Sequence, residues 1–89
     1  MSHEIYTLIE RTMQSGRECE YKGNYEFAYS RYNDAYGYSK DIHYLGGMES
    51  AYRNMEYLQP RLSPSTRESF DSIDYARDVH AAHDFSEML

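Results

Sequence analysis

Apolar positions recur at helical spacing through most of the chain, and four helices follow from where that pattern starts and stops. In the first, over about 3–22, Ile5, Leu8, Ile9, Thr12, Gly16 and Cys19 fall on one face, with Ser2 placed to cap it. Gly23-Asn24 then reads as a helix stop followed by the next N-cap. In the second, over about 25–39, Tyr25, Ala28, Tyr29, Tyr32, Ala35 and Tyr36 share an arc of about 120° at 100° per residue. Lys40-Asp41 reads as a tight link with Asp41 capping a third helix over about 42–59. Its apolar stripe is Leu45, Met48, Tyr52, Met55 and Leu58, and Pro60 stops it. Gly46-Gly47 costs that helix about 1 kcal/mol per glycine relative to alanine. Either the helix begins after the pair, or the pair marks a kink or a close contact. A fourth helix, over about 65–86, opens on the capping box Ser65-Thr66-Arg67-Glu68, with Ser63-Pro64 as an alternative cap. Phe70, Ile73, Ala76 and Ala81 lie on one side of it, and Glu68, Asp71, Asp74 and Asp78 on the other. No strand-like alternation of useful length interrupts this pattern. The fold class expected is all-α: one domain over 1–89, a small three- to four-helix bundle with antiparallel neighbours.

Composition changes the picture of the core. Leu, Ile, Val and Phe supply only 13 of the 89 residues, a fraction that warns of disorder in a charged chain. The helical periodicity is too regular for a disordered chain, and eleven tyrosines and five methionines fill the gap. The core is therefore expected to be rich in Tyr and Met, with phenol hydroxyls at its edge where water or a polar partner reaches them. Such a core is modestly stable alone, which makes a homodimer or a stabilising partner an expectation.

Net charge is −6 and uneven. Residues 62–89 hold Arg67 and Arg77 against six acids. This argues against direct nucleic-acid binding, which needs a basic surface, and permits docking on a basic partner. No apolar run approaches the ~20 residues of a membrane span. The start has no basic n-region of a signal peptide, and the lone Cys19 excludes an internal disulfide. A cytoplasmic protein is expected.

Gly16, Gly23, Tyr25, Ala28, Tyr32 and Ala35 stand as G-x6-G-x-Y-x2-A-x3-Y-x2-A. Over about residues 9–40 this resembles a single tetratricopeptide helical hairpin, and "GNYEFAYSRY" is also similar to the second helix of MIT-type domains. The pattern departs from the repeat at Thr12 and Ser15, and no second copy follows at the ~34-residue period of such arrays. The resemblance implies a helical scaffold that binds peptides or helices in a groove and has no catalysis of its own.

Candidate chemistry is sparse. His80, His83, Asp84 and Glu87 follow i, i+3, i+4, i+7 spacing, which suits a shared divalent metal, but no second cluster completes the shell and a solvated polar face accounts for them. Cys19 sits on an apolar stripe and reads as a small buried hydrophobe. No phosphate loop, dinucleotide glycine pattern or nucleophile elbow appears, so neither cofactor nor enzymatic activity is expected.

Phe27 and Tyr38 do not fit the core stripe. They lie on the far side of the second helix, flanking Arg31, and that composition is typical of interface hot spots. The acids Glu68, Asp71, Asp74 and Asp78, if they form a ladder about 4.5–6 Å apart per step, roughly match phosphate spacing. The primary expectation is a non-enzymatic protein-interaction module, an inhibitor or accessory factor. Its partner-binding residues are Phe27, Arg31, Tyr38, Glu68, Asp71, Asp74 and Asp78. The alternatives are an acidic nucleic-acid mimic of the phage- or plasmid-borne kind, and a nucleotide-sequestering protein whose tyrosines stack on a base while arginines hold phosphate.

Overall fold

A computed structural model describes the backbone of residues 2–88, and the side chains of all of these but Ser2, Ser86 and Glu87. The elements are α1 (Ser2–Tyr21), α2 (Tyr25–Asp41), α3 (Leu45–Leu58), a single 3-10 turn (Gln59–Arg61), α4 (Pro64–Asp71) and α5 (Tyr75–Met88). The class is all-α, with five helices where three or four were expected. The Ser2 cap falls outside the described side chains.

Two matching turns set the topology. Gly23 takes a left-handed backbone (φ 81°), its N–H donates to the Glu20 carbonyl, and the Asn24 N–H reaches back to Cys19 at 2.8 Å. This 6→1 and 5→2 pair is the Schellman closure of a helix C-terminus. His43 repeats it without glycine, at φ 57°: its N–H donates to Lys40, and the Tyr44 N–H to Ser39 at 2.8 Å. The expected boundary at Asp41 is therefore displaced. α2 continues through Asp41, and Tyr44, not Asp41, stands at the N-cap of α3. No glycine or asparagine advertises that turn. A histidine in the left-handed region is strained, and here its ring stacks on Phe85 with centroids 3.9 Å apart and planes 7° from parallel.

Links of three residues force α1, α2 and α3 into an antiparallel row, and two glycines allow the helices to touch. Tyr32 lies flat against Gly16: a Cβ built on Gly16 would sit 2.6 Å from Tyr32 Cε1. Gly47 plays the same part between α2 and α3, where a Cβ would meet the Ser39 hydroxyl and come within 2.8 Å of the Tyr44 ring. Of the three readings of Gly46-Gly47, close contact is the one found, with both glycines in the first turn of α3.

The core runs through Ile9 and Met13 on α1, through Ala28, Tyr29, Tyr32, Ala35 and Tyr36 on α2, and through Met48, Ala51, Met55 and Leu58 on α3. The α1 face is centred on Ile9, Met13 and Gly16, so Leu8 lies outside it and is exposed. Tyr25 is only half buried at the end of the tyrosine stripe.

The expected fourth helix is two helices. After Asp71 the Ser72 hydroxyl bonds back to the Ser69 carbonyl at 2.7 Å, and Asp74 restarts the chain by accepting from the Arg77 N–H at 3.1 Å. An aspartate is a preferred N-cap, and that cap competes with helix continuation. The break resets the helical phase, which is why Ala82 is buried while Ala76 and Ala81 are exposed. It also lets Phe70 and Tyr75 both stack on Tyr52, at 4.9 and 4.0 Å. Five residues apart on one continuous helix, those two rings would point about 140° apart.

Glu26, in the first turn of α2, fastens α4 to the row. Its carboxylate accepts from the Ser63 N–H and the Thr66 hydroxyl, each at 2.6 Å. The Thr66 hydroxyl, then the Ser63 amide, hold its pKa below the usual glutamate value. Because the folded pKa is depressed, the tie is intact above the unfolded glutamate pKa of about 4.3. It is lost as pH falls through the lower, folded value. Amide exchange at Ser63 and Thr66 should accelerate in that acid window before the α1–α3 row opens, whereas simultaneous opening of both would contradict the role given to Glu26.

The glycine contacts predict opposite signs for two identical substitutions. Gly16→Ala gains helix propensity but drives a methyl into a buried ring, for a net loss of roughly 1–2 kcal/mol. Gly37→Ala, at a helical site with nothing within 4 Å of the new Cβ, should stabilise by about 0.5–1 kcal/mol. Urea denaturation of both variants checks this, and equal effects would refute the close-contact account.

Candidate functional site

Phe27, Arg31, Asp34 and Tyr38 sit at i, i+4, i+7 and i+11 on α2, one straight stripe about 16 Å long at 1.5 Å per residue. Phe27 is 66% exposed. Arg31 Nη1 lies 3.6 Å from Asp34 Oδ2, an exposed pair of small energetic weight that fixes the direction of the guanidinium. Tyr38 is half buried and packs on the core, so it forms the floor of the stripe rather than a free anchor.

The acids expected as a ladder are not brought into one row. Glu68 and Asp71 are exposed on α4. Asp74 lies in the break, with Oδ1 capping α5 and Oδ2 3.9 Å from Arg77 Nε. Asp78 is turned inward and is 8% exposed. Its Oδ2 accepts from the Tyr36 hydroxyl at 2.7 Å, and its Oδ1 lies 3.6 Å from Lys40 Nζ and 4.0 Å from Arg77 Nε. The sequence spacing assumed one unbroken helix, and the cap at Asp74 rotates Asp78 away from Glu68 and Asp71.

The same chemistry recurs one turn earlier on α2, where the Tyr32 hydroxyl donates to Glu20 Oε1 at 2.7 Å. Burial first, then the carboxylate acceptor, push the Tyr32 and Tyr36 hydroxyls well above the ordinary tyrosine pKa. Burial raises Tyr29 as well. Its hydroxyl lies near Ser69, which lowers it again in part, but the two are not in hydrogen-bonding geometry.

A second surface was not anticipated. α1 and α3 leave an open groove of about 530 Å³ at the end of the molecule where the Tyr21–Tyr25 link and the 3-10 turn meet. Tyr21, 95% exposed, and Tyr57, 75% exposed, line it, together with Arg17 of α1 and Arg61 of the turn. The Arg61 guanidinium sits 5.0 Å over the Tyr25 ring, and its Nη1 donates to the Tyr25 hydroxyl at 3.2 Å. Arg17 donates from Nε and Nη2 to Gln14 Oε1 at 3.2 and 3.0 Å. The groove residues are spread over 45 positions and four elements, so no local motif announces them. The one signal available was Tyr57, an aromatic off the Met48–Met55 stripe in the way Phe27 is off the tyrosine stripe.

His80 Nε2 lies 3.6 Å from Asp84 Oδ2, and the Glu87 side chain is outside the described residues. Among the described residues no group of three His, Cys, Asp or Glu is placed to hold a metal ion. Cys19 is a free thiol, half buried against the core. Among the described residues no helix is long and apolar enough to cross a membrane.

Comparisons with protein-family models, curated proteins and solved structures return no match. The Gly16–Tyr32 contact belongs to the α1–α2 packing and carries no family assignment.

The two kinds of acid separate by mutation. Asp78→Ala leaves a buried phenol without its acceptor and should cost roughly 1–3 kcal/mol. Glu68→Gln and Asp71→Asn, on an exposed face, should each stay within about 0.5 kcal/mol of the parent. Denaturant midpoints measure both, and a negligible cost at Asp78 would show that the Tyr36 bond does not hold α5 to α2.

Proposed function

We propose that this protein is a non-enzymatic protein–protein interaction module that docks a rigid helical surface on a partner protein, acting as an inhibitor or accessory factor by occlusion or bridging. The observation that carries the reading is Phe27. A large aromatic ring stands two-thirds exposed in the first turn of α2, in line with an Arg31–Asp34 pair and with the half-buried Tyr38 at the far end of the stripe. An exposed ring held on a helix loses little conformational freedom on docking, and an aromatic beside an arginine is the composition of binding hot spots. The buried titratable groups Tyr32, Tyr36 and Asp78 serve to hold helices together, which fits a scaffold better than a catalyst. The acidic-mimic reading has less support, since its four carboxylates do not form a row.

Affinity capture from the native host with the parent chain and with a Phe27→Ala/Arg31→Ala double variant tests the proposal. Both residues are exposed, so the variant should keep the parental fold by circular dichroism while its specific partner is lost or weakened at least about tenfold. An unchanged partner yield would remove the α2 stripe as the docking surface.

A further inference from the structure

We propose that the groove between α1 and α3 is a binding site for a nucleoside phosphate, separate from the α2 stripe and independent of it. The first ground is electrostatic. Arg31, Arg53 and Arg77 are each bridged to a carboxylate within this chain. Arg17 and Arg61 are held instead by neutral partners, the Gln14 amide oxygen and the Tyr25 phenol, and no described carboxylate lies within 4 Å of either guanidinium. Each charge is thus fixed in direction but not neutralised. In a chain of net charge −6, these two groups outnumber the one carboxylate that lines the groove, Glu20, and make a local site for an anion, and a guanidinium suits phosphate through paired N–H donors.

The second ground is shape and surface. Tyr21 and Tyr57 are the rings the fold buries least among those in the groove, and both line it. Phenol faces stack on nucleobases irrespective of sequence. Asn54 donates its amide N–H to the Ser50 carbonyl at 2.8 Å, so its own carbonyl oxygen is left as an acceptor. Glu20 Oε2 is similarly left over once Oε1 has taken the Tyr32 hydroxyl. These acceptors suit the amino group or sugar hydroxyls of a nucleoside. The volume of about 530 Å³ lies within the usual range for small-molecule sites. Inorganic phosphate would leave the rings unused. A polynucleotide would meet the acidic surface beyond the groove, and an acidic peptide would use the arginines without the ring faces.

Calorimetric titration of the full chain with AMP, GMP, UMP, adenosine, inorganic phosphate and an oligoglutamate peptide tests this. At least one mononucleotide should bind with a Kd below about 1 mM, and adenosine and phosphate should each bind about tenfold or more weakly. Arg61→Ala and Tyr57→Ala, both at exposed side chains, should keep the parental helix signal and melting temperature while weakening the nucleotide about tenfold each, with partial recovery in Arg61→Lys. No saturable heat from any mononucleotide would overturn the proposal. So would affinity unchanged in both variants, or phosphate or oligoglutamate binding as tightly as the best nucleotide. Neither substitution touches Phe27 or Arg31, so partner capture and nucleotide binding can fail separately.

Discussion

A phenol ring in a helical core fixes its neighbour where its hydroxyl finds an acceptor, as at Tyr32 and Tyr36 but not at Tyr29, because an unbonded buried hydroxyl costs about 1–3 kcal/mol. In this protein α2 supplies the phenols and its neighbours supply the carboxylates. Tyr32 reaches Glu20 on α1, and Tyr36 reaches Asp78 on α5. Each ring contributes buried area, and each hydroxyl selects which helix lies beside it and at what height. A leucine in either position would bury comparable surface but would leave the register of α1 or α5 unspecified.

The same rings dictate the remaining spacing. A tyrosine lying flat against a helix needs a neighbour without a side chain, which Gly16 provides, and Gly47 does the same for Ser39 and Tyr44. The stack of Phe70 and Tyr75 on Tyr52 needs the break at Ser72–Asp74. The helices form a slab whose Cα atoms span 41 × 26 × 14 Å. The outer face of α2 carries the Phe27 stripe, and the ends of α1 and α3 with the 3-10 turn carry the arginine groove. α2 thus organises the core through its inner face, and its outer face carries the exposed Phe27 and Arg31 of the proposed docking stripe.

How much of this was legible follows from the range of the interactions. The tyrosine stripe, the Gly23 stop, the Met48–Met55–Leu58 face and the all-α class depend on neighbours within a turn or two, and periodicity carries them. The boundary at His43 was not legible, because a histidine stands where glycine marks the same turn at position 23. The break at Asp74 had a visible cap, but the apolar positions on either side of it mimic one continuous helix. Phe27 was readable as an exposed aromatic because it lies off a clear stripe. The inward turn of Asp78, and the meeting of Arg17 with Arg61, depend on tertiary placement across more than 40 residues, where spacing carries no information.

Alkaline titration of tyrosine absorbance, recorded together with the helical circular dichroism signal, tests the central claim most directly. Folded pKa values for Tyr32 and Tyr36 lie above the unfolded value of about 10. The stability they confer is therefore complete below that pH and is lost as pH rises past it. The account predicts that part of the eleven-tyrosine signal stays un-ionised through the ordinary tyrosine range and appears only as the helices melt. Ionisation of all eleven in one ordinary transition, with helix content intact, would contradict it.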